Sequence, residues 1–450
     1  MFNKVLIANR SAIACRVIRT CRRLGVNTVA VYSPSEGNPL HAELADEAVA
    51  LPDEAGPVAG YLDISAVIQA AADTGAEAIH PGYGFLSENP DFARASENAG
   101  IVFVGPSPEA ISLAGNKREA RRRLAEYGVP VLPGTEIDIE PAPEKAGGDP
   151  DLASHAELIG YPLMIKASEG GGGIGMNMVE DPGRLERTVR RTRSSSRRAF
   201  GSQDIYLERY VPDARHVEVQ IVADIDGTVT HLWERECSAQ RRHQKVIEEA
   251  GSPSITDSTR ERLISASMLA AREIGYTNVG TFEFIVDADD RPYFIEANAR
   301  IQVEHGPTEM VTGVDIVEQQ LRIASGDSIS IVEEPVNGHA IQCRIYAEDP
   351  ETFIPSPGTL DTFRLPQVND LRVEAGFREG DEVSSHFDPL LAKLIAWGAT
   401  RNDSISLMEK ALSETRVDGV KCNVPALQKA LRHPDFLRGR YSTGLMGQLG

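Results

Sequence analysis

Cysteine is scarce in this chain of 450 residues. There are five, Cys15, Cys21, Cys237, Cys343 and Cys422, with no Cys-x-x-Cys pair. An odd, scattered set argues against a disulfide framework or a cysteine zinc site and reads as a reducing cytoplasm. Positive charge is short too: 46 Lys and Arg against 66 Asp and Glu give a formal net charge of −20. That argues against nucleic acid or an anionic membrane as a partner over the whole surface. A local basic pocket for ATP stays compatible with it. No apolar run approaches the roughly 20 residues that a membrane helix needs. The run at Val5–Ala8 breaks at Asn9, so it reads as a first buried strand rather than a signal peptide. The turn after that strand, Ala8-Asn9-Arg10-Ser11-Ala12, has no G-x-G-x-x-G, so the dinucleotide fingerprint is missing where it belongs. Internal repeats and low-complexity tails are also missing.

What is present is ordinary globular composition, 41% hydrophobic and 25% charged, at a length that predicts two or three packed units. Strands at Val5–Ala8, Thr28–Tyr32, Ala78–His80 and Ile101–Val104 alternate with helices at Ala12–Leu24, capped by Ser11, and Ile64–Thr74. This pattern predicts a parallel sheet with helices on both faces. An Arg-rich helical stretch spans 116–127. The segment Glu136–Asp151, with prolines at 141, 143 and 149, reads as a surface loop or linker. A small unit follows: a strand at Leu163–Lys166, a glycine loop at 170–175, and a charged helix from about Pro182 to Ala199. From Leu207 onward the pattern is mostly β, with period-2 alternation at His216–Val222.

Four stretches carry chemistry. In Lys166-Ala167-Ser168-Glu169-Gly170-Gly171-Gly172-Gly173-Ile174-Gly175 a strand feeds a glycine run. Such a run lets backbone N–H groups approach a triphosphate. No G-K-[ST] follows, so it is not a Walker A loop, and a flexible turn is the plain alternative. Thr281–Val286 and Tyr293–Asn298 read as a hairpin that sets Glu283 opposite Glu296. Two carboxylates and the Asn298 amide oxygen are hard ligands suited to Mg²⁺, against the alternative of a solvated polar face. Cys237-Ser238-Ala239-Gln240-Arg241-Arg242-His243-Gln244-Lys245 is a dense cationic stretch. It reads either as a receiver for bicarbonate or phosphate or as a charged surface loop. His80-Pro81-Gly82-Tyr83-Gly84-Phe85-Leu86-Ser87-Glu88 follows a parallel strand, so it lies where ligands collect at a sheet's carboxyl edge. A corner-turning loop is the alternative.

Taken together, these stretches resemble biotin carboxylase. The segments Ile7–Arg10, His80–Asn89, Arg241–Lys245, Gly280–Phe284, Arg300–His305, Cys343–Arg344 and Ala347–Pro350 fall in that family's order nearly end to end. The resemblance implies an ATP-grasp fold, α/β and α+β. Its parts are an N-terminal doubly wound α/β domain (1–115), an ATP-grasp region (116–330) with a small lid at about 135–210, and a β-rich C-terminal domain (331–450). It implies ATP, Mg²⁺ or Mn²⁺, and biotin as a carried substrate. Lys117, Lys166 and the loop glycines Gly171, Gly172 and Gly173 would hold phosphates. Glu208, Arg209 and Val211 would border adenine, with His216 and Gln240 close by. Glu283, Glu296 and Asn298 would hold the metal. Lys245, Arg300, Gln302 and Val303 would cradle bicarbonate, and Glu304 would deprotonate it. Arg344 would stabilise the charge on the biotin ureido oxygen, with Tyr83, Gly84, His243 and Gln244 lining the biotin side. The sequence has no Met-Lys-Met attachment site. The reading therefore either places the carrier protein and carboxyltransferase on other chains or makes this an excised domain, and a homodimer is also implied.

Several positions depart from the family pattern. Asn-Arg-Gly-Glu-Ile becomes Asn9-Arg10-Ser11-Ala12-Ile13, and Glu-His-Pro-Val-Thr-Glu becomes Glu304-His305-Gly306-Pro307-Thr308-Glu309. Arg19 and Arg23 stand one turn apart, a like-charge pair that disfavours an isolated helix and puts the usual dimer in doubt. Glu169 and Ile174 replace a glycine and a cation of the glycine loop, which predicts weaker ATP affinity or looser lid closure. An ATP-grasp ligase with a non-biotin acceptor, and a non-catalytic homologue, are the competing readings.

Overall fold

The computed structural model describes residues 1–135, 150–168, 175–331 and 335–449. The glycine-loop residues Glu169 to Ile174 lie outside them, as do 136–149 of the expected linker. Pro150 and Asp151 are not linker: they open a helix, Pro150–Ile159. Proline suits a first helical turn, where its missing N–H leaves no partner wanting.

The N-terminal unit is a parallel sheet of β1 (Lys4–Ile7), β2 (Asn27–Tyr32), β3 (Glu47–Ala50), β4 (Ala78–His80) and β5 (Val102–Phe103), in the order β3-β2-β1-β4-β5. Sequence order reverses between β1 and β4, which opens a crevice at their carboxyl ends. The loops after Ile7 and His80 face each other there. The Asn9 amide ties them together, donating to the carbonyls of Pro81 and Tyr83, both at 2.8 Å.

The first helix, Ser11–Leu24, buries Ile13, Ala14, Val17, Ile18 and Cys21 on one stripe against the sheet. Ser11 does not cap it: no side-chain cap bond forms at this terminus, and Ser11 itself is helical residue one with φ +54°. Gly376 packs close against it: a Cβ on Gly376 would lie 1.8 Å from Ser11 Oγ. Arg19 and Arg23, side by side on this helix, are both neutralised within the chain. Arg19 pairs with Glu374 at 2.8 Å, and Arg23 with Asp315 and Glu318 at 2.7 Å each.

The small unit is an antiparallel sheet of β6 (Leu163–Ala167), β7 (Met176–Val179) and β8 (Ile205–Arg209), ordered β7-β6-β8. Leu152 and Ala156 of one helix and Leu185 and Val189 of another, Leu185–Phe200, close its core.

The remaining large sheet contains β9 (Arg215–Ala223), β10 (Val229–Arg241), β11 (Gln244–Ala250), β12 (Asn278–Val286), β13 (Pro292–Asn298) and β14 (His339–Tyr346). Short strands β15 (Gly358–Thr359) and β16 (Thr362–Arg364) leave it before β17 (Leu371–Ala375) returns; β18 (Glu382–Val383) precedes β19 (Leu390–Gly398). The sheet order is β13-β12-β9-β10-β11-β14-β19-β17, antiparallel throughout. Helix Asp257–Glu273 packs on β9 and β10, helix Arg401–Glu414 on β14 and β19, and helix His305–Thr312 bridges β10, β11, β14 and β19.

Candidate active site

Strand β9 supplies the floor. His216, Glu218 and Gln220 alternate with Val217, Val219 and Ile221, so a period-2 strand turns its polar set to one face. That face is buried rather than solvated. Next to it, the β12–β13 pairing sets Glu283 directly opposite Glu296, as the hairpin pattern predicts. Glu283 is densely held. Its carboxylate accepts from Lys245 at 2.9 Å, Asn298 at 2.8 Å and Gln302 at 3.0 Å, and meets His216 Nε2 at 2.7 Å. Burial alone would raise its pKa, but Lys245 and His216 outweigh that and hold it well below the usual carboxylate range.

Lys245 is the hub. Its ammonium touches Glu218 at 2.5 Å, Glu283 at 2.9 Å and Glu304 at 2.7 Å. Burial opposes the charge, and the three carboxylates overcome it and push its pKa up. Glu304 ends the loop before helix His305–Thr312 and lies between Lys245 and Arg344, the latter at 3.0 Å. Burial would raise its carboxyl, but Lys245, Arg344 and Arg235 hold it far below the ordinary value. Arg344 on β14 also pairs with Glu248 on β11. Arg235, fully buried, braces the floor by donating to Glu218 at 2.6 Å and to Gln220 and Thr308 at 2.8 and 2.9 Å.

Arg300 spans the mouth. It donates to Asn298 Oδ1 at 2.7 Å and Gln302 Oε1 at 2.9 Å, and meets Glu88 at 3.1 Å. Glu88 belongs to the His80 loop, so the crevice of the parallel sheet and the large sheet share one site. Tyr83 extends from the same loop; burial raises its phenol pKa, and the Arg344 charge nearby opposes that. Gly84 beside it is exposed. The Val303 carbonyl accepts from Lys393 at 2.8 Å.

The cationic stretch is not a free surface loop. It is the tip of the β10–β11 hairpin, with Arg242 and His243 as a two-residue turn at φ +48° and +67°, the left-handed pair such hairpins require. Its base is anchored: Arg241 pairs with Glu348 and lies over the Tyr346 and Phe353 rings. Gln244 donates to Tyr346 at 3.0 Å. His243 stands between Lys166 of the small unit and His216. Burial is the largest influence lowering its pKa, with smaller effects from Lys166 and His216. Gln240 bonds His216 Nδ1 at 2.8 Å.

The remaining sequence candidates lie along the small unit and its base. Lys166 pairs with Glu208 across β6 and β8, and Arg121 approaches Glu208 at 3.3 Å. Lys117 pairs with Glu296 at 2.5 Å. The Arg209 side chain turns away, donating to the Ile159 carbonyl at 3.1 Å. Val211 is half-buried. Gly171, Gly172 and Gly173 fall outside the described residues.

Sequence reasoning missed Glu218, Arg235 and Glu248. The signal for Glu218 was the His216–Val222 alternation, whose polar face was assigned no role. Arg235 stands just before the dense cationic stretch, but its partner Glu218 is 17 residues away; Glu248 gives no local signal, its partner Arg344 being 96 residues away.

The donor set fits a divalent metal with a bound nucleotide. Glu283 and Glu296 are hard oxygen ligands on adjacent strands, and each already carries a lysine, Lys245 and Lys117. Among the described residues, no helix is long and apolar enough to cross a membrane.

The chain is similar over its whole length to known proteins. Residues 1–111 match the family described as biotin carboxylase, N-terminal domain; residues 116–332 match carbamoyl-phosphate synthase L chain, ATP binding domain; and residues 342–448 match biotin carboxylase C-terminal domain. The chain is 47% identical over 451 residues to biotin carboxylase 2 of Bacillus subtilis, covering 100% of each. Among solved structures, the biotin carboxylase domain dimer of Hydrogenobacter thermophilus 2-oxoglutarate carboxylase, in complex with MgADP, ADP and bicarbonate, superposes with a TM-score of 0.95. It is 42% identical and the match covers 100% of this chain and 98% of that one. A Campylobacter jejuni biotin carboxylase–β-γ-ATP complex gives 0.95 at 39% identity, over 100% of this chain and 99% of that one. Matched end to end at this level, the chain belongs to the biotin carboxylase family.

Proposed function

We propose that this chain joins bicarbonate to biotin at the expense of ATP, the first half-reaction of a biotin-dependent carboxylase, and that the cluster around Lys245 performs it. The observation that carries the reading is the placement of Glu304: a buried, ionised carboxylate held between Lys245 and Arg344, beside the Arg300–Gln302 pair.

Bicarbonate is a poor electrophile and a poor nucleophile, so it must be activated. Lys245, Arg300, Gln302 and the Val303 main chain hold it, and Glu304 takes its proton. A carboxylate with so low a pKa is a weak base by itself. Bound bicarbonate shares the cations, which strengthens Glu304 as a base while making the substrate proton easier to lose. Attack on the ATP γ-phosphorus gives carboxyphosphate and ADP. Lys117, Lys166 and the glycine loop neutralise the phosphates, since phosphoryl transfer depends on positioning and charge. Glu283, Glu296 and Asn298 would hold Mg²⁺, which would supply further neutralisation there. Carboxyphosphate breaks to CO₂ and phosphate, the phosphate takes the biotin N1 proton, and N1 attacks CO₂ to form the C–N bond of carboxybiotin. Arg344 faces the negative charge that develops on the ureido oxygen. Tyr83, Gly84, His243 and Gln244 line that side, and Glu208, Arg209, Val211, His216 and Gln240 the nucleoside side. The small unit closes as a lid to keep water from the anhydride.

The test is ADP release from MgATP and bicarbonate, with and without free biotin, beside Glu304→Gln. Biotin should stimulate release, and the substitution should cost roughly 10²–10⁴-fold. Cleavage that depends on bicarbonate but ignores biotin would mean another acceptor. Bound ATP without any cleavage would mean a non-catalytic homologue.

A further inference from the structure

Lys393 is fully buried on β19, where strand pairing sets it opposite Arg344 of β14 and opposite Glu374 of β17. Directly paired residues on neighbouring strands point to the same face. Arg344, Lys393 and Glu374 therefore form a row, on the face that carries helix His305–Thr312. The Lys393 ammonium meets Glu374 at 2.6 Å and donates to the Val303 carbonyl at 2.8 Å. Burial is the largest influence on it and lowers its pKa, with Glu374 opposing.

A buried ammonium is a costly way to fill space that a hydrocarbon would fill. Its distinctive contact is the Val303 carbonyl. That peptide lies between Gln302, which donates to Glu283, and Glu304, which meets Lys245 and Arg344. Glu374 is itself fixed, held by Arg16 at 3.3 Å, by Arg19 at 2.8 Å and by Arg372. The ammonium thus links a rigid charge cluster under the first helix to the main chain from which the candidate base projects.

We propose that Lys393 is a positioning residue: its bond to the Val303 carbonyl sets the main chain so that Gln302 and Glu304 converge on bicarbonate. The proposal rests on the reading of Glu304 as the base. Lys393 touches no substrate and acts through the 302–304 peptide.

The test compares steady-state kinetics of the full chain as wild type, Lys393→Met, Glu374→Gln and Glu304→Gln, well below every unfolding midpoint. Lys393→Met should lower kcat by about ten- to a hundredfold and raise KM for bicarbonate, the scale expected of a misplacement near 1 Å. Its KM for MgATP should stay within about twofold, because the phosphate-binding lysines sit on other elements. Glu374→Gln leaves the Val303 bond in place, so kcat should stay within about threefold even where its urea midpoint falls. If Lys393→Met does not fold, Lys393→Gln replaces it; its amide ends one bond short of the carbonyl, and the same outcomes apply. Normal kcat at a lowered midpoint in the Lys393 variant would reduce the residue to a structural one and overturn the proposal. Equal loss in Glu374→Gln would overturn it too, by assigning the effect to the charge cluster. Full turnover in Glu304→Gln would instead remove the reading of the base.

Discussion

Ser11 occupies the position where the family pattern has glycine, and its φ of +54° shows what that glycine is for. A side chain in the left-handed region carries a conformational cost that glycine avoids. The Ser11 hydroxyl gains nothing in return: it is buried and without a hydrogen-bond partner. Ser11→Gly should therefore raise stability by about 0.5–1 kcal/mol, read as a higher urea midpoint at unchanged m-value. A lower midpoint would mean that the hydroxyl packs usefully against Gly376. At this scale the sequence exposed residues whose type alone announces chemistry, such as Lys245 and Glu304. It hid those whose role depends on a distant partner. Glu248 counters Arg344, and Arg235 locks Glu218, through contacts that no local pattern encodes.

Helix His305–Thr312 shows how an element and a departure from the family pattern go together. Gly306 stands against β19, and a Cβ there would lie 2.3 Å from Ile395 Cδ1 and 3.4 Å from Gln342 Oε1. The helix seats Glu304 at its N-terminus, so its height on the sheet matters to the site. Gly306→Ala should cost about 1–3 kcal/mol by overpacking. Ile395→Val, which removes the obstructing methyl, should recover much of that loss in the double variant, a coupling that a double-mutant cycle measures. Strict additivity would contradict this packing. The Glu283–Glu296 opposition was legible because a short hairpin connection constrains register. The turn at Arg242–His243 was not, since such turns usually advertise themselves with Asn or Gly. Pairing of β11 with β14 was also beyond local reading, because it joins segments about 90 residues apart.

Across the whole molecule, the antiparallel sheet runs without a break from β13 to β17 and so joins residues on both sides of position 330. The parallel sheet and the small unit meet it around one cluster of paired cations and carboxylates. Buried histidines tie this assembly to pH. His41 and His80 are pushed down to about 4, first by burial. The Gly82 N–H donates to His80 Nδ1 at 3.1 Å and Gln320 Oε1 lies 3.1 Å from Nε2, an arrangement that suits the neutral ring. Because the folded pKa lies below the unfolded value near 6.5, the unfolded chain binds more protons between about 6.5 and 4. This stability is present above about 6.5 and is lost as pH falls toward 4, by roughly 2 kcal/mol per histidine at pH 5. The urea midpoint should fall between pH 7 and 5, and His80→Gln should flatten that slope. Parallel slopes would contradict the assignment.

If the cluster around Lys245 and Glu304 moves a carboxyl group from bicarbonate to biotin, carbon must pass from one to the other. The most direct measurement follows ¹⁴C from labelled bicarbonate into acid-labile carboxybiotin, with ADP counted in the same samples. Label should enter biotin only with MgATP, match ADP in the presence of saturating biotin, and disappear in Glu304→Gln. ADP formation without label in biotin, or label that persists in Glu304→Gln, would contradict it.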